Sequence, residues 1–106
     1  MANIMVLGSG GWGTALAVTL QCYGNEVTLW SPFEEEIARL LSKRENEKLL
    51  PGVCIPGAIA LTTSLVGAEQ ADLLVLAVPS FAVRQTARRL KGLVRPGQVG
   101  VNVSKG

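Results

Sequence analysis

Gly8-Ser9-Gly10-Gly11-Trp12-Gly13 sets three glycines at the spacing G-x-G-x-x-G. Each position has a use in binding a dinucleotide. Gly8 permits a tight turn, Gly10 lets the backbone approach a pyrophosphate, and Gly13 lets a helix pack closely on a strand. Amides at a helix start, which have no partner within the helix, then attract the phosphate charge together with the helix dipole. The motif has this meaning only between a strand and a helix. Asn3-Ile4-Met5-Val6-Leu7 precedes it as a short apolar run, and Trp12 to Tyr23 follows with Ala15, Leu16, Ala17, Val18 and Leu20. The competing use of the glycines is a turn needed for packing alone.

A second clue lies beyond the next strand. An acid roughly 20 residues past the glycines takes a ribose 2′-OH in NAD sites, and a nearby Arg accommodates the 2′-phosphate of NADP. The region reads Trp30-Ser31-Pro32-Phe33-Glu34-Glu35-Glu36, with no base before Arg39. Three carboxylates there repel a 2′-phosphate and favour NAD over NADP. The plainer reading is that acids belong in the first turn of a helix. Ser31-Pro32-Phe33-Glu34 also fits a capping box with Ser31 as N-cap, Pro32 at the first helical position and Glu34 at the third. Phe33 is either the first residue of a helix stripe with Ile37, Leu40 and Leu41, or the cover of an adenine ring.

The elements that must position these residues alternate along the chain. Strands are predicted at Asn3–Leu7, Glu26–Trp30, near Ala60–Thr62, at Leu73–Ala77 and at Val99–Val103. Helices are predicted at Trp12–Tyr23, with Gly24-Asn25 as C-cap, after Ser31, at Ser64–Gln70 and at Phe81–Lys91, the last with Val83, Ala87 and Leu90 inward. Lys43 to Pro56-Gly57 reads as a long loop. The order βαβαβαβαβ predicts an α/β fold of Rossmann type: a doubly wound parallel sheet, three-layer αβα, with right-handed crossovers. Residues 1–106 form one domain. The chain ends just after its last strand, at the sheet edge where such folds bind ligands, so a truncated chain is expected.

Composition narrows the chemistry. In 106 residues, 48% are hydrophobic and 17% charged, which excludes a disordered chain. The net charge of +2 with 5% aromatics argues against a nucleic-acid binder. Histidine is absent, which removes imidazole bases, Ser/His/Asp triads and most zinc sites, and no metal site is expected. The apolar start is broken by glycines and lacks a basic leader, and no run is long enough to span a membrane. The expected location is the cytoplasm. Cys22, on a buried helix, and Cys54, in a loop between prolines, read as structural thiols. Arg84, Arg88, Lys91 and Arg95, with Arg89 beside them, read as the outward face of an amphipathic helix rather than a phosphate or nucleic-acid stripe. Trp30 reads as core. Trp12 is expected along the ligand cleft or against a partner domain, with an oligomer patch as the result if it is exposed.

Gly8-Ser9-Gly10-Gly11-Trp12-Gly13-Thr14-Ala15 resembles the G-x-G-x-W-G-T-A signature of glycerol-3-phosphate dehydrogenases. The resemblance continues through Val27-Thr28-Leu29-Trp30, Leu50-Pro51-Gly52 with Ile55-Pro56, Ala77-Val78-Pro79-Ser80 and Ser104-Lys105-Gly106. It covers only the N-terminal cofactor domain. It implies an oxidoreductase that interconverts dihydroxyacetone phosphate and sn-glycerol 3-phosphate with NAD(P)H for glycerophospholipid synthesis, with a helical substrate domain absent from this chain and a homodimer as a possible assembly. It assigns Gly8, Ser9, Gly10, Gly11, Trp12 and Gly13 to the pyrophosphate loop and Phe33 to the adenosine end. Pro79, Ser80 and Phe81 match the segment near the nicotinamide-side ribose, and Lys105 matches a lysine that contacts cofactor and substrate. The family's second catalytic lysine and substrate-phosphate residues belong to the absent domain. Gly11 departs from the Ser or Asn of many bacterial members, and Pro32 and Phe33 stand where those often carry basic residues. The cofactor is NAD or NADP, with NAD favoured by Glu34, Glu35 and Glu36.

Lys105 has a physical role consistent with that match. An ammonium at the C-terminal edge of the sheet stabilises negative charge developing on a substrate oxygen. Without the family match it would read as a solvated lysine. Two other readings stand beside this one. One is another two-domain dehydrogenase, of the 6-phosphogluconate or ketopantoate reductase kind, against which Trp12-Gly13-Thr14-Ala15 argues. The other is a stand-alone dinucleotide-binding or redox-sensing module without catalysis.

Overall fold

Alternate residues of the first strand point to opposite sides, and this decides the layering. In the computed structural model, which describes residues 2–46, 50–95 and 97–103, β1 is Asn3–Leu7. Ile4 and Val6 pack into one core cluster with Ala17, Val27, Leu29, Ile37, Leu40 and Val75. Met5 and Leu7 pack into a second with Trp30, Leu74, Val78 and Leu90. A sheet buried on both faces needs helices on both, and that is the three-layer arrangement predicted.

The elements follow in the expected order. The helix α1 is Gly11–Cys22, β2 is Glu26–Trp30 and α2 is Glu34–Lys43. A two-stranded hairpin comes next, β3 Glu45–Asn46 and β4 Leu50–Cys54. Then come β5 Ala60–Thr62, a 3₁₀ turn Val66–Gln70, β6 Leu73–Leu76, α3 Ser80–Leu90 and β7 Val99–Asn102. The main sheet has the order β5-β2-β1-β6-β7. All its pairings are parallel. The chain builds outward from β1 to β2 and β5, then crosses back to β6 and β7 on the other side. That reversal next to β1 is the topological switch point, where open sheets of this kind leave a crevice.

Register brings the loops level. Leu7 pairs with Trp30 on one side and with Leu76 on the other. The three loops that leave β1, β2 and β6 therefore emerge at the same height, side by side.

Four local expectations are corrected. Ser31 does not cap α2; the helix begins at Glu34, with Phe33 in the cap position. The Ser31 amide still donates to Thr62 O at 3.1 Å, so the β2 ladder runs one residue further and forbids a helix start there. The Ser31 hydroxyl instead accepts from the Phe33 amide at 3.2 Å. The long loop after Lys43 contains the β3–β4 hairpin; β3 has two residues and β4 carries Pro51 and Gly52, so neither shows a strand pattern. Arg44, in the left-handed region at φ 51, starts it, and its guanidinium donates to Ile59 O at 3.0 Å. On α3 the inward residues are Thr86 and Leu90, and Ala87 is exposed. A four-residue step and a three-residue step both satisfy helical spacing, and the sheet selects the latter. Cys22 and Cys54 are both exposed, the first at the outer end of α1 and the second on β4.

Candidate dinucleotide-binding site

The glycine loop is held in place by backbone contacts. Gly8 donates to Trp30 O at 2.8 Å, and Ala77 donates to Leu7 O at 2.8 Å, which ties together the starts of the three loops. Gly8 has φ +128, and a Cβ there would meet the Ala77 carbonyl carbon at 2.7 Å. A Cβ at Gly13 would meet Gly8 O at 1.9 Å, so only glycine lets α1 sit this close to the turn. Gly10 is different. Its backbone, φ −64 and ψ 177, suits any residue, and nothing lies within 4 Å of a Cβ there. The fold needs hydrogen at Gly8 and Gly13. It does not need it at Gly10, and the empty space at that point faces the start of α1. That cradle fits a diphosphate, which requires backbone free of side chains in front of first-turn amides.

The space belongs to a cleft of about 580 Å³ between the three loops. Gly8, Ser9, Gly10, Gly11 and Trp12 form its floor. Trp30 to Phe33 and Glu36 form the wall from β2 and α2. Ala77 to Pro79, Phe81, Ala82, Gln85, Thr86 and Arg89 form the wall from β6 and α3. A cleft of this volume, largely apolar with a few polar groups, suits a small-molecule or cofactor site.

Of the residues expected in the site, Gly8, Ser9, Gly10, Gly11, Trp12, Phe33, Pro79 and Phe81 line this cleft. Gly13 lies beneath the turn, and Ser80 is exposed at the start of α3 beside the lining. Lys105 lies outside the described residues. Phe33 is 64% exposed, so it belongs to the rim of the cleft and not to the helix stripe, in which Ile37 and Leu40 are buried and Leu41 is exposed. Trp12 is 46% exposed, and its indole donates to Val103 O at 3.1 Å, linking the floor to the end of β7.

Ala82, Gln85 and Thr86 on α3 also line the cleft and were not singled out by sequence reasoning. Ser9 Oγ donates to Glu36 Oε1 at 2.7 Å, which separates Glu36 from its exposed neighbours Glu34 and Glu35. Arg89 leaves the basic stripe and lies over the Trp30 ring, 5.3 Å from its centroid. Trp30 itself is core, 1% exposed, with its indole N–H donated to Thr63 O at 3.0 Å. Ala82, Gln85 and Arg89 recur at steps of three and four, a helix face turned to the cleft. That spacing was the available signal.

The profile of the NAD-dependent glycerol-3-phosphate dehydrogenase N-terminus matches residues 3–106. The chain belongs to this family. A glycerol-3-phosphate dehydrogenase [NAD(P)+] of Fusobacterium nucleatum is 43% identical over 107 residues, covering 100% of this chain and 32% of that protein. Its counterpart in Moorella thermoacetica is 49% identical over 105 residues, covering 98% of this chain and 31% of that protein. The crystal structure of the Coxiella burnetii glycerol-3-phosphate dehydrogenase superposes with a TM-score of 0.91 at 29% identity, covering 99% of this chain and 33% of that one. The chain thus spans about a third of the length of these glycerol-3-phosphate dehydrogenases and corresponds to their N-terminal, dinucleotide-binding part. Among the described residues no helix is long and apolar enough to cross a membrane.

Proposed function

We propose that this chain is the cofactor-binding part of an enzyme that interconverts dihydroxyacetone phosphate and sn-glycerol 3-phosphate, serving glycerophospholipid synthesis, with NAD preferred to NADP. The observation that carries the reading is the empty cradle in front of Gly10, between two glycines that the fold itself uses. Family membership supplies the substrate class. The preference for NAD is supported by Glu36 in the cleft and by the absence of any base among the described residues that β2 and α2 contribute to the lining.

The residues divide the work by chemistry. Gly10, Gly11 and the amides of the first turn of α1 hold the diphosphate. Phe33 covers the adenine at the rim. Pro79, Ser80 and Phe81 border the nicotinamide-side ribose. The bound nicotinamide supplies the reducing equivalents. Lys105, the lysine that the family resemblance singles out, supplies an ammonium that stabilises the charge developing on the substrate carbonyl oxygen. A helical domain C-terminal to this chain holds the substrate phosphate, and the whole enzyme works in the cytoplasm as a homodimer.

The test uses the full-length protein. NADH oxidation dependent on dihydroxyacetone phosphate is expected, with kcat falling about 100-fold in Lys105→Met. Nucleotide binding without such turnover would instead support a stand-alone sensing module. Parallel calorimetric titrations should give tighter binding of NADH. NADPH bound tenfold more tightly, about 1.4 kcal/mol, would overturn the cofactor preference.

A further inference from the structure

The wall of the cleft that descends from β2 carries no charge at the strand end itself. Trp30, Pro32 and Phe33 are apolar, and the hydroxyl of buried Ser31 accepts from the Phe33 amide at 3.2 Å. The acid that takes a ribose 2′-OH ordinarily stands at that strand end. Here the one carboxylate among the described lining residues is Glu36, six residues past Trp30, in the first turn of α2. It is fixed from across the cleft, because Ser9 Oγ donates to its Oε1 at 2.7 Å. Ser9 is itself buried and lies between Gly8 and Gly10, so the bond joins the phosphate loop directly to the adenosine wall.

We propose that Glu36 is the residue of this chain that accepts the adenosine ribose diol and turns away a 2′-phosphate, and that Ser9 is its positioning residue. The inference rests on the dinucleotide reading of the cleft and deepens it. A carboxylate has two oxygens and about four lone-pair sites, so the bond from Ser9 leaves Oε2 to accept from a ribose hydroxyl. Held in place, the same charge faces a phosphate of the same sign. Glu34 and Glu35 sit in the same helical turn but are exposed and outside the cleft. Solvent and salt screen their charge. Arg89 is the cation of the lining; it reaches from α3 over the Trp30 ring, 5.3 Å from its centroid.

The full-length protein and its Glu36→Gln, Ser9→Ala and Glu34→Gln/Glu35→Gln variants are titrated calorimetrically with NADH and with NADPH. The quantity read is the ratio of the two affinities, because damage to the fold weakens both nucleotides alike and leaves the ratio unmoved. Glu36→Gln should shift the ratio toward NADPH by about 30-fold, through loss of a charge-assisted bond to the diol and of the repulsion. Ser9→Ala should shift it the same way by about fivefold, since an untethered carboxylate still carries its charge. The Glu34/Glu35 double variant should stay within about twofold of wild type. An unchanged ratio in Glu36→Gln, or an equal shift in the Glu34/Glu35 variant, overturns the assignment. Wild-type protein that already prefers NADPH overturns it too, and points to Arg89. Protein that binds neither nucleotide removes the dinucleotide reading as a whole, an outcome distinct from any change in the ratio.

Discussion

Replacing Gly10 and Gly13 by alanine, one at a time, separates what the fold requires from what a ligand requires. At Gly13 the added Cβ would stand 1.9 Å from Gly8 O, and it must withdraw to at least the 3.4 Å of ordinary contact. Helix and turn have to part, and the cost of such overpacking is about 3 kcal/mol or more. At Gly10 the Cβ meets nothing within 4 Å, and the backbone at φ −64, ψ 177 accepts alanine. Loss of a favourable N-cap residue and the lowered entropy of the unfolded chain nearly offset each other, so stability changes by less than about 1 kcal/mol. Binding responds in the opposite way. A methyl at Gly10 occupies the space of the diphosphate and breaks at least one charge-assisted bond, worth about 1.5–3 kcal/mol. Affinity for NADH should fall about 10- to 150-fold. Thermal denaturation without nucleotide and calorimetric titration with NADH read the two effects. The reasoning fails if Gly10→Ala unfolds as early as Gly13→Ala, or if it binds NADH as tightly as wild type.

Trp30→Phe should lower stability by about 2 kcal/mol, because Thr63 O loses its partner and the smaller ring leaves a void among Met5, Leu7 and Leu74. Thermal denaturation checks it, and an unchanged midpoint would contradict the packing described. Phe33→Ala should leave stability within about 0.5 kcal/mol, since the ring is 64% exposed, while raising the Kd for NADH about three- to tenfold through lost stacking. Equal affinity in the variant and the parent would remove Phe33 from the adenosine end.

Part of the site could be read residue by residue. The glycine spacing, the apolar run before it and the small-residue helix behind it are local patterns, and they reappear as β1, the turn and α1. The three glycines also divide as their spacing predicts, with Gly8 and Gly13 held by contacts and Gly10 facing open space. The role of Phe33 was open in the sequence because its position suits both a helix stripe and a rim. Only the continued β2 ladder at Ser31, which delays α2, decides it. The hairpin β3–β4 was hidden for a related reason. β3 has two residues and β4 carries Pro51 and Gly52, so neither shows a strand pattern, and they exist because the chain pairs with itself.

Alternation of strand and helix, and the glycine turn after β1, were determined by the sequence alone, since each depends on neighbours within a few positions. Which side chains share a cleft was not. Ser9 and Glu36 are 27 positions apart, and Arg89 reaches Trp30 from another helix. Their meeting depends on sheet order and on the register that levels Leu7 with Trp30 and Leu76. Those are properties of strands brought together from distant parts of the chain. Hydrogen bonds between strands and burial on both faces of the sheet set them, and no local pattern records them.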